Sequence, residues 1–108
     1  MVTIIERDEL KAAIDAKRVT VVDALGGEYY AKQHLPGAIA LVEGEVVTRA
    51  ADLLPDTSAA IVTYCSNPAC PNSGNVAKRL TALGYSNVRK YRDGIEDWVE
   101  AGLPVEGA

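Results

Sequence analysis

The two cysteines of this 108-residue chain lie in one segment, IVTYCSNPACPNSGNVAKRL, which covers residues 61–80. Cys65 follows an apolar run that predicts a buried strand, and a helical pattern begins shortly after Cys70. A cysteine between a strand and a helix N-terminus is surrounded by backbone N–H groups and by the positive end of the helix dipole. Both favour the thiolate, which is the nucleophilic form of the side chain. The spacing therefore predicts that Cys65 is a nucleophile.

The segment around the cysteines carries no formal charge from residue 65 to residue 77. An anion bound there would be held by backbone N–H groups, and Pro68 and Pro71 have none to offer. Lys78 and Arg79, a turn further on, would add only peripheral positive charge. The donors expected to form the binding loop are those of Ser66, Asn67, Ala69, Cys70, Asn72 and Ser73.

Cys70 has four open interpretations. It is a resolving thiol that forms a disulfide with Cys65, a relay that accepts sulfur from it, a small residue that packs the loop, or itself the first nucleophile. Four residues separate the cysteines, so this is not the Cys-x-x-Cys redox motif. A disulfide would require the two Cα atoms to approach within about 7 Å. Together with His34 the cysteines supply too few ligands for a structural zinc site, so no metal is expected.

Composition limits the class of protein. The length predicts a single domain over residues 1–108. The net charge of −4 argues against a nucleic-acid partner. No apolar run approaches the roughly 20 residues of a membrane span, and the N-terminus becomes charged before a signal-peptide core forms. We therefore expect a cytoplasmic protein with reduced thiols and no membrane partner.

Strands and helices alternate along the chain. Short β-branched or apolar runs predict five strands, at residues 2–5, 19–23, around 39, 59–65 and 87–91. Strands separated by helices imply crossover connections. The predicted fold is an α/β domain with a central, mostly parallel five-stranded sheet flanked by helices on both faces. Ligands of such sheets bind beyond the carboxyl ends of strands, where Cys65 lies.

The predicted helices have specific boundaries. Asp8 is expected to cap the first helix, and Asn72 or Ser73 the helix after the cysteines. Gly84 is expected to end that helix. Asp93 and Glu96 resemble a capping box. Helical spacing predicts buried faces made of Leu10 and Ile14; Val46, Val47, Ala50, Leu53 and Leu54; Val76, Leu80 and Leu83; and Ile95, Trp98 and Val99.

These pieces, in this order, resemble a single-domain rhodanese-like sulfurtransferase over nearly the whole chain. The stretch VVDALGGEYYAKQHLPGAIAL resembles that family's strand, acidic residue, short helix and turn. IVTYC resembles its strand ending in the catalytic cysteine, and AKRLTALGYSNVRKYRDGIEDWVEAGLPVE resembles its closing pattern. Leu25 stands where an arginine is common, Gln33 replaces a glycine, and the loop that holds Cys70 is longer than in simple members.

The resemblance implies a sulfurtransferase. Cys65 would take sulfane sulfur from thiosulfate or a persulfide donor, become a persulfide, and pass the sulfur to a thiol or a cyanide-like acceptor. No metal or organic cofactor is implied. Asp23 would order the strand end through backbone N–H groups, or move a proton. His34 would fix a turn by hydrogen bonding, or act as a base.

Two other functional classes are considered. Cysteine phosphatase or arsenate-reductase chemistry needs an arginine six positions after the nucleophile, and Pro71 or Val76 stands there instead. A non-catalytic docking or redox-sensing module that uses Cys65 and Cys70 remains open as the alternative to the enzyme.

Overall fold

The structure is a computed structural model that describes residues 3–107. Its strands form one sheet in the order β1-β5-β4-β2-β3, and every neighbouring pair is parallel. The strands are Thr3–Ile4 (β1), Thr20–Asp23 (β2), Ile39–Ala40 (β3), Ile61–Tyr64 (β4) and Val88–Tyr91 (β5). The predicted parallel five-stranded sheet is confirmed, and Val2 of the first predicted strand lies outside the described residues.

Helices connect the strands as crossovers. They are Arg7–Asp15 (α1), Gly27–Lys32 (α2), Val46–Leu53 (α3), Asn72–Ala82 (α4) and Gly94–Glu100 (α5), with a 3-10 turn at Glu43–Glu45 before α3. None of these described helices is long and apolar enough to cross a bilayer.

The sheet has an apolar layer on each face, because successive strand residues point in opposite directions. Val62 belongs to the layer that contains Leu10 of α1 and Trp98 of α5. Ile61 belongs to the opposite layer, which contains residues of α3 and α4 such as Leu80. Full burial of one such leucine is worth about 1.5–3 kcal/mol. The prediction of helices on both faces is thereby confirmed, and Trp98 is a core residue.

The predicted helix caps are wrong in detail. Helix α1 begins two residues earlier than expected, so Asp8 lies in its first turn and caps nothing. Helix α4 has Pro71 at its N-cap, where the fixed proline φ leads directly into the helix, and Asn72 is already helical. Asp93 occupies the N-cap of α5 in a helical conformation and makes no capping hydrogen bond with its side chain. No side chain of the described residues caps α4, so the N–H groups of its first turn are available to other acceptors.

Three residues predicted to face the core are exposed: Leu83 (44%), Val99 (42%) and Val47 (67%). Leu83 lies at the C-cap of α4, where the chain leaves the helical path, and Gly84 ends the helix as expected with a φ of +101°. Tyr85 fills the core there instead, and its hydroxyl donates to the carbonyl oxygen of Leu54 at 2.5 Å.

Candidate functional site: the Cys65 loop

Cys65 directly follows β4 at the carboxyl edge of the sheet and forms a disulfide with Cys70. Their Cα atoms lie 6.2 Å apart, within the range that a disulfide requires. Cys65 is 1% exposed, whereas Cys70 is only partly buried. Neither cysteine is a free thiol here, in contrast to the reduced state expected from composition. Of the four interpretations of Cys70, the one that involves a disulfide agrees with this geometry.

The start of α5 anchors the beginning of the loop. The N–H of Ile95 donates to the carbonyl oxygen of Cys65 at 2.9 Å, and the N–H of Glu96 donates to that of Ser66 at 3.0 Å. Gly94 has a φ of +78°, and a Cβ placed on it would lie 2.5 Å from the carbonyl carbon and oxygen of Ser66. Glycine is therefore required for this close approach, and its φ also favours glycine.

Asn67 holds the middle of the loop. Its carbonyl oxygen accepts the N–H of Cys70 at 3.1 Å, and its Oδ1 accepts the N–H of Ala69 at 3.0 Å. Its Nδ2 donates to Glu96 at 3.2 Å, so that carboxylate binds the loop rather than completing a capping box. Two of the six expected loop donors, the N–H groups of Ala69 and Cys70, are thus engaged in the disulfide form.

The other four expected donors have no acceptor among residues 3–107. They are the N–H groups of Ser66, Asn67, Asn72 and Ser73, and the last two belong to the first turn of α4. The N–H of Gly74 in the same turn is also without an acceptor in this range. Free N–H groups at a helix start favour a bound negative charge. The arrangement can therefore stabilise an anionic sulfur near Cys65.

Lys90 is a cation that sequence reasoning missed. Its ammonium lies 3.4 Å from the position that a Cβ on Gly74 would occupy, beside the first turn of α4. No carboxylate of the described residues lies within 4.0 Å of it. The alternation of side chains along β5 could have identified Lys90. Val88 packs against the α3 and α4 layer, and Lys90, two residues later, points the same way. The site therefore has positive charge nearby, although the loop itself is neutral.

Asp23 is fully buried and orders the neighbouring strand ends. Its Oδ1 accepts the N–H groups of Leu25 and Gly26 at 2.7 and 3.1 Å, and its Oδ2 accepts the hydroxyl of Tyr64. The Tyr64 oxygen in turn accepts the N–H of Leu35 at 3.2 Å. Burial, followed by the Asp23 carboxylate, raises the pKa of Tyr64 above its ordinary value. These contacts are the ones expected if Asp23 orders the strand end through backbone N–H groups.

His34 lies in a network away from the Cys65 loop. Its Nδ1–H donates to the carbonyl oxygen of Tyr30 at 2.7 Å, and its ring stacks on that of Tyr30 with centroids 4.0 Å apart. Its backbone forms a two-way bridge with Glu106, with both N–H to O distances at 2.8 Å. None of its hydrogen bonds reaches the loop. These contacts fix the turn and a segment near the C-terminus, as in the hydrogen-bonding role considered for His34.

The described residues contain no group of three or more His, Cys, Asp and Glu side chains able to hold a metal ion. What the fold places at the carboxyl edge of the sheet is a cysteine loop that leads into a helix N-terminus. This defines a parallel α/β domain with a disulfide-linked pair of cysteines at the carboxyl edge of its sheet.

Comparison with known proteins gives the family. A model of the Rhodanese-like domain matches residues 6–101, and the chain therefore belongs to the rhodanese-like domain family. It is 38% identical over 105 residues to the HTH-type transcriptional regulator Rv0324 of Mycobacterium tuberculosis. That match covers 96% of this chain but only 45% of the regulator, so the chain spans less than half of that relative's length.

Two solved structures extend the comparison. The BH2092 protein from Bacillus halodurans superposes with a TM-score of 0.89 at 28% identity, over 97% of this chain and 77% of that one. A structure described as rhodanese with anions from E. coli has a TM-score of 0.68 at 27% identity, over 83% of this chain and 99% of that one. Both agree with the parallel-sheet architecture of this domain.

Proposed function

We propose that the reduced form of this domain is a sulfurtransferase with Cys65 as its nucleophile. The Cys65 thiolate attacks the sulfane sulfur of thiosulfate, a new S–S bond forms, and sulfite leaves with the electron pair of the broken bond. The resulting Cys65 persulfide then passes its outer sulfur to a thiol or a cyanide-like acceptor. The observation that carries the proposal is the position of Cys65 between β4 and the free N–H groups of α4.

The charges around the loop favour a small anionic donor. Four loop donors of the expected set are free, and Lys90 adds a cation beside the first turn of α4. Glu96 adds negative charge, which opposes anion binding, because its carboxylate binds Asn67 at the other side of the loop. A similar structure, described as rhodanese with anions from E. coli, is compatible with a small anion as the ligand of this domain. We infer that small dianions or persulfide monoanions bind, and that highly charged donors do not.

The test uses protein reduced beforehand and freed of reductant. Thiosulfate is added and the intact mass is measured, followed by cyanide and detection of thiocyanate. We expect the wild-type protein and Cys70→Ser to gain one sulfur atom, at least transiently, and Cys65→Ser to gain none. A Cys65→Ser variant that is folded by circular dichroism and still forms thiocyanate would contradict the assignment of the nucleophile.

A second function is favoured by two observations. The cysteines form a disulfide, and the transcriptional regulator from M. tuberculosis contains a region 38% identical to this chain. In this alternative the domain senses oxidants through the disulfide and transfers no sulfur. It predicts that Cys70→Ser gains no sulfur from thiosulfate or polysulfide, while peroxide closes the disulfide in the wild-type protein. Persulfide formation in Cys70→Ser would exclude a purely redox-sensing domain.

A further inference from the structure

The disulfide joins the Sγ of Cys70 directly to the Sγ of Cys65. In a Cys65 persulfide this same Sγ is the inner sulfur, and the transferred atom is the outer one. A relay would require Cys70 to reach the outer sulfur, one bond further away, whereas the observed bond is to the inner sulfur. We propose that Cys70 attacks the inner sulfur of the persulfide and releases the outer sulfur as sulfide, a step that rests on the function proposed above.

The step balances in atoms and electrons. The Cys70 thiolate forms a bond to the Sγ of Cys65, and the bond between the inner and outer sulfur breaks. The outer sulfur leaves with that electron pair as hydrosulfide, so it is reduced while the two cysteines are oxidised to a disulfide. No outside oxidant is needed, because the sulfane sulfur itself accepts the two electrons.

The loop geometry allows this internal reaction to compete with sulfur transfer to an external acceptor. Only four residues separate the cysteines, and the hydrogen bonds from Ala69 and Cys70 to Asn67 hold the loop closed. The start of α5 holds the carbonyl oxygens of Cys65 and Ser66. A thiol held in position reacts as though it were present at very high concentration. When no external acceptor is present, the closed loop is therefore the expected product of persulfide formation.

Reopening the loop requires an external thiol or dithiol. Because Cys65 is 1% exposed and Cys70 is only partly buried, the incoming thiolate attacks Cys70. Cys65 then leaves as the thiolate, the form that the unpaired N–H groups at the start of α4 would favour. A second thiol releases Cys70. The net reaction converts one thiosulfate and two thiols into one sulfite, one hydrogen sulfide and one disulfide.

A single-turnover experiment without external thiol tests the proposal. Reduced wild-type protein, Cys70→Ser and Cys65→Ser each receive a small excess of thiosulfate, and sulfide and intact mass are followed. We expect one sulfide per chain from wild-type protein, together with a mass two hydrogen atoms below the reduced form. Cys70→Ser should retain the extra sulfur and release at least about tenfold less sulfide, because it lacks the internal thiol. Cys65→Ser should do neither.

Other results overturn the proposal in distinguishable ways. A stable persulfide on Cys65 in both wild-type protein and Cys70→Ser, without sulfide, would refute sulfide release but leave the sulfurtransferase intact. Extra sulfur found on Cys70 of the wild-type protein would indicate a relay instead. Absence of both persulfide and sulfide from all variants would remove the sulfurtransferase and this step together. For reopening, glutathione added to the oxidised protein should be found on Cys70, and an adduct on Cys65 would refute the order of attack.

Discussion

The contact between Gly94 and the cysteine loop makes a prediction that can be worked out from two glycines. Gly94 has a φ of +78° and Gly102 has a φ of +77°. Holding a residue with a Cβ at such a φ therefore has nearly the same conformational cost at both positions, about 1–2 kcal/mol. A Cβ on Gly102 would meet no atom within 4 Å, whereas one on Gly94 would lie 2.5 Å from the Ser66 carbonyl. Gly102→Ala is therefore a matched control for Gly94→Ala.

At Gly94 the overlap forces α5 away from the loop. The two hydrogen bonds from Ile95 and Glu96 to the loop carbonyls are then weakened or lost, at about 1 kcal/mol each. We expect Gly94→Ala to lower the free energy of unfolding by about 3–4 kcal/mol, and Gly102→Ala by only about 1–2 kcal/mol.

Equilibrium unfolding in urea under reducing conditions measures both values by linear extrapolation. The fluorescence of Trp98, which is fully buried in α5, reports the helix concerned, and circular dichroism provides an independent probe. If the two variants lose the same stability within about 0.5 kcal/mol, the usual spread of such measurements, the close approach does not hold the loop in place.

Three further predictions concern stability. Reducing the Cys65–Cys70 disulfide should lower the free energy of unfolding by about 2 kcal/mol, a small effect because the disulfide closes a short loop between cysteines five positions apart. Urea unfolding with and without dithiothreitol checks this, and an unchanged free energy of unfolding would contradict it. Tyr64→Phe should cost about 1–3 kcal/mol, because the buried Asp23 carboxylate loses a donor; a neutral effect by thermal unfolding would refute the network. Burial raises the pKa of Tyr64 and Tyr91 in the folded state, so the stability they contribute is complete below about pH 10 and is lost as the pH rises further. Phenolate absorbance compared before and after unfolding measures this, and ionisation of both tyrosines in the folded protein near pH 10 would contradict it.

Local sequence was sufficient to predict the sheet and the position of Cys65 at a strand end. The β-branched runs at β2 and β4 are buried on both faces, as is typical of a covered parallel sheet, and the order of strands and helices indicates crossover connections. The cysteine that ends β4 must then lie at the carboxyl edge. Helix caps were less predictable, because Pro71 starts α4 before either expected cap residue can act.

The rest of the site depends on residues far apart in the chain. Gly94 approaches Ser66, Glu96 binds Asn67 and Lys90 lies beside the first turn of α4 only because β4 and β5 are neighbours in the sheet. The sequence by itself determined a thiol at a strand end in a neutral loop. Whether Cys70 reaches that thiol was decided by the tertiary structure, since a disulfide depends on the distance and direction of two side chains and not on their spacing in sequence.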